Sequence, residues 1–184
     1  MDFREITEFF KDFIGYIITL IVIILIYTFV VSFQPIAGNS MTPNLMEGDI
    51  VLVSKLSYII EEPRRNDIIV FKTKDGKRFV KRVIGLPGEK IDYLNGIIYI
   101  NDESFKETVI GEDVLTNNFM FVDICSKEKC TDSKIPENYY LVLGDNREDS
   151  QDSRDKEIGL IEKSQISGKV IFRIWPVNEM GKIT

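Results

Sequence analysis

The residues of this 184-residue chain best suited to chemistry are Ser40, Ser150 and Lys81, in a sequence that contains no histidine. Without imidazole there is no Ser-His-Asp triad, no Cys-His pair and no histidine metal site. A nucleophilic serine must then take its base from lysine or a carboxylate. Ser40 lies in "GNSMTPNL" (38–45), where Gly38 and Pro43 mark turning backbone. Serine is common in turns, so this stretch taken alone reads first as a plain turn.

Only a neutral amine can accept a proton, and free lysine titrates near 10.4. Bringing that value to near 8 costs about 3 kcal/mol, which burial away from carboxylates supplies. The search is therefore for a lysine inside an apolar strand, and "RFVKRVIGLPGE" (78–89) contains one, Lys81. Strand alternation puts Lys81 on one face with Phe79 and Val83, and Arg82 on the other with Val80 and Ile84. Alternation does not say which face is buried. A guanidinium does not deprotonate in proteins, so Lys81 is the candidate base. The plain alternative is a lysine snorkelling from an edge strand.

The most polar stretch, "GDNREDSQDSRDKEIG" (144–159), carries Ser150. It fails as a calcium loop. With Asp145 first, Arg147 replaces the third ligand, Ser150 the required glycine and Lys156 the bidentate glutamate. Asp145, Arg147, Asp152 and Arg154 are instead expected to pair with one another, fixing the loop and holding Ser150. Alone, the same segment reads as a solvated surface loop.

The elements that must position these groups follow from the apolar pattern. Residues 13–33, "FIGYIITLIVIILIYTFVVSF", hold no charged side chain, and twenty-one residues of helix span roughly 31 Å, a bilayer core. The run is too long for a cleaved leader, and "SFQPIAG" is a poor cleavage site, so a retained transmembrane helix is predicted. Arg4 and Lys11 precede it, and no Lys or Arg occurs from Gln34 to Ser54. That charge bias places 1–12 in the cytoplasm and 34–184 outside. Phe3, Ile6, Phe10 and Phe13 recur at helical spacing, so residues 2–12 are expected along the inner leaflet.

Beyond the helix the chain reads as short β-branched and aromatic runs at 49–55, 67–73, 78–85, 118–124, 138–144 and 166–175. Asp75-Gly76 and Asn95-Gly96 are hairpin turns, the second joining "EKIDYL" to "IIYIN". Polar, irregular residues fall at 102–117 and 125–137, and an insertion is expected at about 95–137. The fold class is mainly β, an antiparallel catalytic domain on one N-terminal transmembrane helix. In an oxidising compartment Cys125 and Cys130 close a small disulfide loop; the alternative is two free thiols. Two cysteines without histidine do not make a zinc site. The net charge of −6 argues against nucleic acid as a partner.

Together these segments resemble the bacterial type I signal peptidases (leader peptidases), membrane-bound serine endopeptidases with a Ser-Lys dyad. "GNSMTPNL" resembles the family's Gly-x-Ser-Met-x-Pro-Thr-Leu motif, "RRNDIIVF" (64–71) its Arg-Gly-Asp strand, and "KRVIGLPGE" (81–89) its lysine box. "GDNREDSQDSR" (144–154) is similar to its Gly-Asp-Asn-Arg-x-x-Ser-x-Asp-Ser-Arg box, and "FRIWP" also fits. The resemblance implies Ser40 as nucleophile, Lys81 as general base, and Ser150 as the hydroxyl that orients the amine. Asp145, Arg147, Asp152 and Arg154 become supports, and the Ser40 backbone N–H part of an oxyanion hole. Some members carry a hydroxyl two residues before the nucleophile, where this chain has Gly38. Asn44 replaces the usual threonine and Asn66 the usual glycine, both read as local variation.

Ile36, Met41, Leu45, Val80 and Val83 are expected to line shallow pockets that admit alanine, or else to be ordinary core. The implied partners are precursor proteins with Ala-x-Ala sites and the lipid bilayer, with no cofactor or metal and a monomer sufficing. Two other readings compete. Self-cleaving repressor-type proteases share the Ser-Lys logic but carry a DNA-binding module where this chain has its apolar helix. A membrane-tethered scaffold would have no reason to retain Ser40, Lys81 and Ser150 together.

Overall fold

The β-branched runs pair as the alternation predicts. In a computed structural model, residues 3–183 are described except 108, 111–115, 117, 126–129 and 131–132. The side chains of 3–7, 9, 10 and 122 also lie outside the described set, and with them the expected inner-leaflet face built on Phe3, Ile6 and Phe10.

Helix α1 runs Phe3–Leu25 and continues as a π-helical turn over Ile26–Val30. Within it Lys11–Val30 is long and apolar enough to cross a membrane, with a mean hydropathy of 2.7. The helix does not reach Phe33. Val31–Pro35 is extended as β1 and pairs antiparallel with β2 (Ile50–Ser54), Phe33 opposite Leu52. Three residues assigned to the membrane span by hydropathy alone are thus an edge strand, because their β-branched and aromatic side chains find a partner strand there.

The remaining strands are β3 (Ile68–Lys72), β4 (Arg78–Gly85), β5 (Ile91–Leu94), β6 (Ile97–Ile100), β7 (Glu103–Phe105), β8 (Tyr139–Leu143), β9 (Ile161–Glu162), β10 (Ile166–Trp175) and β11 (Gly181–Lys182). The main antiparallel sheet has the order β1-β2-β10-β3-β4-β8-β9, with β11 on β10. A separate three-stranded sheet, β5-β6-β7, begins just before the segment at about 95–137 where an insertion is expected. Among the described residues two short α-helices occur outside α1, α2 (Ser57–Ile60) and α3 (Phe121–Ile124).

The predicted strand 118–124 is largely wrong. Only Phe119 bridges Tyr93, and the next four residues turn as α3, where the Asp123 carboxylate accepts from Met120 N–H at 3.0 Å. A local acidic cap there outweighs β propensity. Cys125, just after α3, is disulfide-bonded to Cys130.

Two buried clusters frame the functional region. Ile36, Met41, Leu45, Val51, Val53, Ile68, Val70 and Val170 pack on one side of the sheet. Ile69, Phe71, Val83, Tyr140, Val142 and Ile161 pack on the other.

Candidate active site

Ser40 sits in the loop between β1 and β2, and its position is over-determined. Ile36 N–H donates to Asp49 O at 2.8 Å and Gly48 N–H to Ile36 O at 3.0 Å, closing the loop at its base. Leu45 N–H donates to Met41 O at 2.9 Å within it, and buried Met41 and Leu45 root it in the core. From the acidic loop, Asn146 N–H donates to the Ser40 carbonyl at 3.1 Å. Gly38, two residues earlier, has φ +74, a left-handed backbone that favours glycine.

Lys81 comes from β4, directly opposite Ile69 of β3, and is 1% exposed. Its Nζ is hydrogen-bonded to Ser40 Oγ. Burial lowers its pKa from 10.5 to about 8, against the opposing pull of Asp152 and Asp145, while Arg154 helps to lower it. Lys81 is not a snorkelling lysine. The next residue on the opposite face, Arg82, is fully buried too, and its solution is different. Arg82 Nε and Nη2 each donate to Asp145 at 2.8 Å, a bidentate pair, and Nη1 donates to Asn66 O at 2.9 Å. Asn66 holds φ +71, so asparagine takes the left-handed conformation that the family's glycine would take.

Asp145, Arg147, Asp152 and Arg154 do not all pair with one another as expected. Asp152 and Arg154 do, through Nε–Oδ1 and Nη2–Oδ2 contacts of 2.8 Å. Although burial opposes it, the Arg154 contacts keep the Asp152 carboxyl below its usual range. Asp145 reaches Arg82 instead, and Arg147 crosses to the insertion. Its Nη1 donates to Tyr93 Oη (2.7 Å), Glu107 Oε2 (2.8 Å) and Thr116 Oγ1 (3.1 Å), while Nε donates to Gly144 O at 2.9 Å.

Ser150 departs from expectation. Its hydroxyl is enclosed without a hydrogen-bond partner rather than bonded to Lys81, although it lies close enough to Asp152 to help keep that carboxylate ionised. It leans over Gly144: a methyl group there would stand 2.1 Å from Ser150 Oγ and 2.5 Å from the Ser40 carbonyl oxygen. Gly144 thus lets the loop that carries Ser40 and the acidic loop meet. Sequence reasoning passed over it because glycine at a strand end is ordinary. It also missed Asn44, whose Nδ2 donates to Asp145 Oδ2 at 2.8 Å and to Val109 O at 3.0 Å. Asn44 is a tie between the loop that carries Ser40, the buried Arg82–Asp145 pair and Val109, not idle variation.

A groove of about 340 Å³ passes over Ser40 and Lys81. Its walls are residues 34–41 on one side and 78–81 on the other, with Asp149 and Gln151 at the rim. Of the expected pocket residues, Ile36, Met41 and Val80 line it. Leu45 and Val83 do not; both are fully buried in the two core clusters, because proximity in sequence to a site residue does not decide which way a side chain faces. β8 pairs with β4 only from Arg82 to Gly85, so on that side the backbone edge at 78–81 faces the groove unpaired by β8.

A half-buried serine hydroxyl on a buried lysine amine of lowered pKa, in a groove with a free strand edge, is equipped for nucleophilic attack on an extended peptide. Comparison with known proteins agrees. Residues 7–175 match the family model described as signal peptidase, peptidase S26. The chain is 35% identical over 179 residues to signal peptidase IB of Staphylococcus aureus, covering 94% of this chain and 92% of that protein. It is 40% identical over 158 residues to signal peptidase I of Bacillus caldolyticus, covering 82% and 83%. The crystal structure of a signal peptidase I from Enterococcus faecalis superposes with a TM-score of 0.50 at 34% identity, covering 60% of this chain and 97% of that one. This chain therefore belongs to the S26 signal peptidase family, and it is a serine peptidase, a hydrolase of peptide bonds.

Proposed function

We propose that the chain removes N-terminal signal peptides from secreted precursors, with Ser40 as nucleophile and Lys81 as general base. The observation that carries this is the contact between Lys81 Nζ and Ser40 Oγ, made by an amine whose pKa burial brings to about 8. The neutral Lys81 amine takes the Ser40 hydroxyl proton as Oγ attacks the scissile carbonyl. The tetrahedral oxyanion is met by the Ser40 backbone N–H. The Lys81 ammonium then protonates the leaving amine as the C–N bond breaks, leaving an ester on Ser40. Water, deprotonated by the same amine, adds to that ester, and the ammonium so formed returns the proton to Ser40 Oγ as the C–O bond breaks and the acid product leaves.

Substrate enters extended, adding a strand against the free edge of β4 at 78–81. Ile36, Met41 and Val80 make shallow apolar walls suited to alanine-sized side chains, which favours Ala-x-Ala sites. Lys11–Val30 serves as the anchor, crossing the plasma membrane once, with Arg4 and Lys11 on the cytoplasmic side and the catalytic domain outside. Ser40, Lys81 and both groove walls come from one chain, so a monomer suffices. The test is cleavage of a precursor bearing an Ala-x-Ala site by the wild type, Ser40→Ala and Lys81→Ala. Both variants should lose turnover while remaining folded; near-normal turnover by either removes the dyad.

A further inference from the structure

The end of α1 is fastened to the sheet by one side chain outside the catalytic machinery. Lys55, immediately after β2, donates through Nζ to Tyr27 O at 3.1 Å and to Thr28 O at 2.9 Å. Its backbone N–H donates to Val30 O at 2.9 Å, and its ammonium lies 5.7 Å from the Tyr27 ring centroid. Tyr27 in turn packs on Phe33 of β1, ring centroids 6.1 Å apart. These contacts fall on the π-helical turn Ile26–Val30, the last turn of the apolar stretch.

A helix leaves its last carbonyls unpartnered, and its C-terminus favours a cation. A lysine that takes two of those carbonyls satisfies both demands at once. The consequence is geometric. β1 begins at Val31 with no linker, and its five residues, about 17 Å of strand, lead to the loop that holds Ser40. A flexible tether would let the domain sample many heights and tilts. A clamped helix end with a paired strand allows one.

We propose that Lys55 is a positioning residue that fixes the height and tilt of the Ser40 groove over the bilayer, and so governs cleavage of membrane-anchored precursors but not of short soluble peptides. This rests on the signal-peptidase reading with α1 as anchor. A precursor held by its own apolar segment presents its scissile bond at a set depth, so enzyme and substrate must agree in height. A free peptide has no such constraint.

The experiment uses the full-length protein in phosphatidylethanolamine/phosphatidylglycerol vesicles, as wild type, Lys55→Met and Lys55→Arg. Lys55→Met keeps the apolar stem and loses the donors; Lys55→Arg restores donors and charge. Each is assayed on a membrane-embedded precursor and on a short soluble Ala-x-Ala peptide. Misplacing a reacting group by an ångström can cost a hundredfold, so Lys55→Met should lose about tenfold or more on the precursor and under about twofold on the peptide. Lys55→Arg should recover most of the loss. Trp175, the only tryptophan and 53% exposed, reports the same effect by quenching with brominated lipid. Its quenching should change in Lys55→Met and return in Lys55→Arg. Equal loss on both substrates, or no loss on the precursor with unchanged quenching, overturns the proposal. A wild type that cleaves neither substrate removes the parent reading and this one with it, and is told apart by the wild-type lanes alone.

Discussion

Raising the pH titrates the proposed base directly. Lys81 moves from 10.5 to about 8 because it is buried, a difference worth about 3 kcal/mol in favour of the neutral amine. With a soluble Ala-x-Ala peptide in detergent, kcat/KM should rise about tenfold per pH unit below the inflection and level off above about 8. The same shift predicts a stability effect. Below pH 8 the amine is protonated in both folded and unfolded chains, and the folded state bears the full cost of the buried charge. Between about 8 and 10.5 the unfolded state binds more protons, so stability from this group rises with pH. Lys81→Met removes the cost, so its stability advantage, up to about 3 kcal/mol below pH 8, should shrink to nothing by about 10.5. Chemical denaturation of both proteins across that range measures the gap. A rate profile still climbing at pH 10.5, or a gap that does not change with pH, refutes the burial argument.

Gly144→Ala should lose about a hundredfold in kcat with the fold retained by circular dichroism, because the added methyl displaces the Ser40 carbonyl and Ser150 together. Arg82→Met leaves Asp145 buried with its bidentate partner gone, and should destabilise by about 3–5 kcal/mol in urea unfolding, more than any surface charge variant. Ser150→Ala removes an unpartnered buried hydroxyl and should leave Tm unchanged or slightly raised, a result that a hydrogen-bonded serine would not give. Reducing Cys125–Cys130 frees a short loop worth about 2 kcal/mol of chain entropy. That loss should be read in the melting of the insertion, with peptide cleavage kept.

Both sheets were legible because their strands are short β-branched runs separated by local turn signals, Asp75-Gly76 between β3 and β4 of the main sheet and Asn95-Gly96 between β5 and β6 of the smaller one. The 118–124 segment misled because "NFMFVDI" has strand composition, while its structure is decided by one aspartate bonding its own backbone. That Ser40 and Lys81 would come together was legible through chemistry: no histidine, and a lysine in an apolar strand. Pairing partners were not. Nothing local in "RFVKRVIG" says that Arg82 will find Asp145, or in "GDNRED" that Arg147 will find Glu107, since both contacts join segments brought together only by the folded sheet and insertion. The role of Gly144 was hidden for the same reason: it is defined by two segments that approach it, not by its neighbours in sequence.

The acidic loop poses a problem that the pairings resolve. Carboxylates near an amine raise its pKa, and three of them, Asp152, Asp145 and Asp149, act on Lys81 in that direction. Left free, they would hold it charged and idle as a base. Asp145 is bound bidentately by Arg82, and Asp152 by Arg154, so each buried carboxylate already carries its own guanidinium. Asp149 is exposed at the groove rim, where solvent screens it. Burial then prevails at Lys81 and keeps its pKa low. Strand alternation makes this division possible: Arg82, one residue on, faces away from Lys81 and takes a carboxylate with it, so one strand carries a buried cation on one face and a buried, readily neutralised amine on the other.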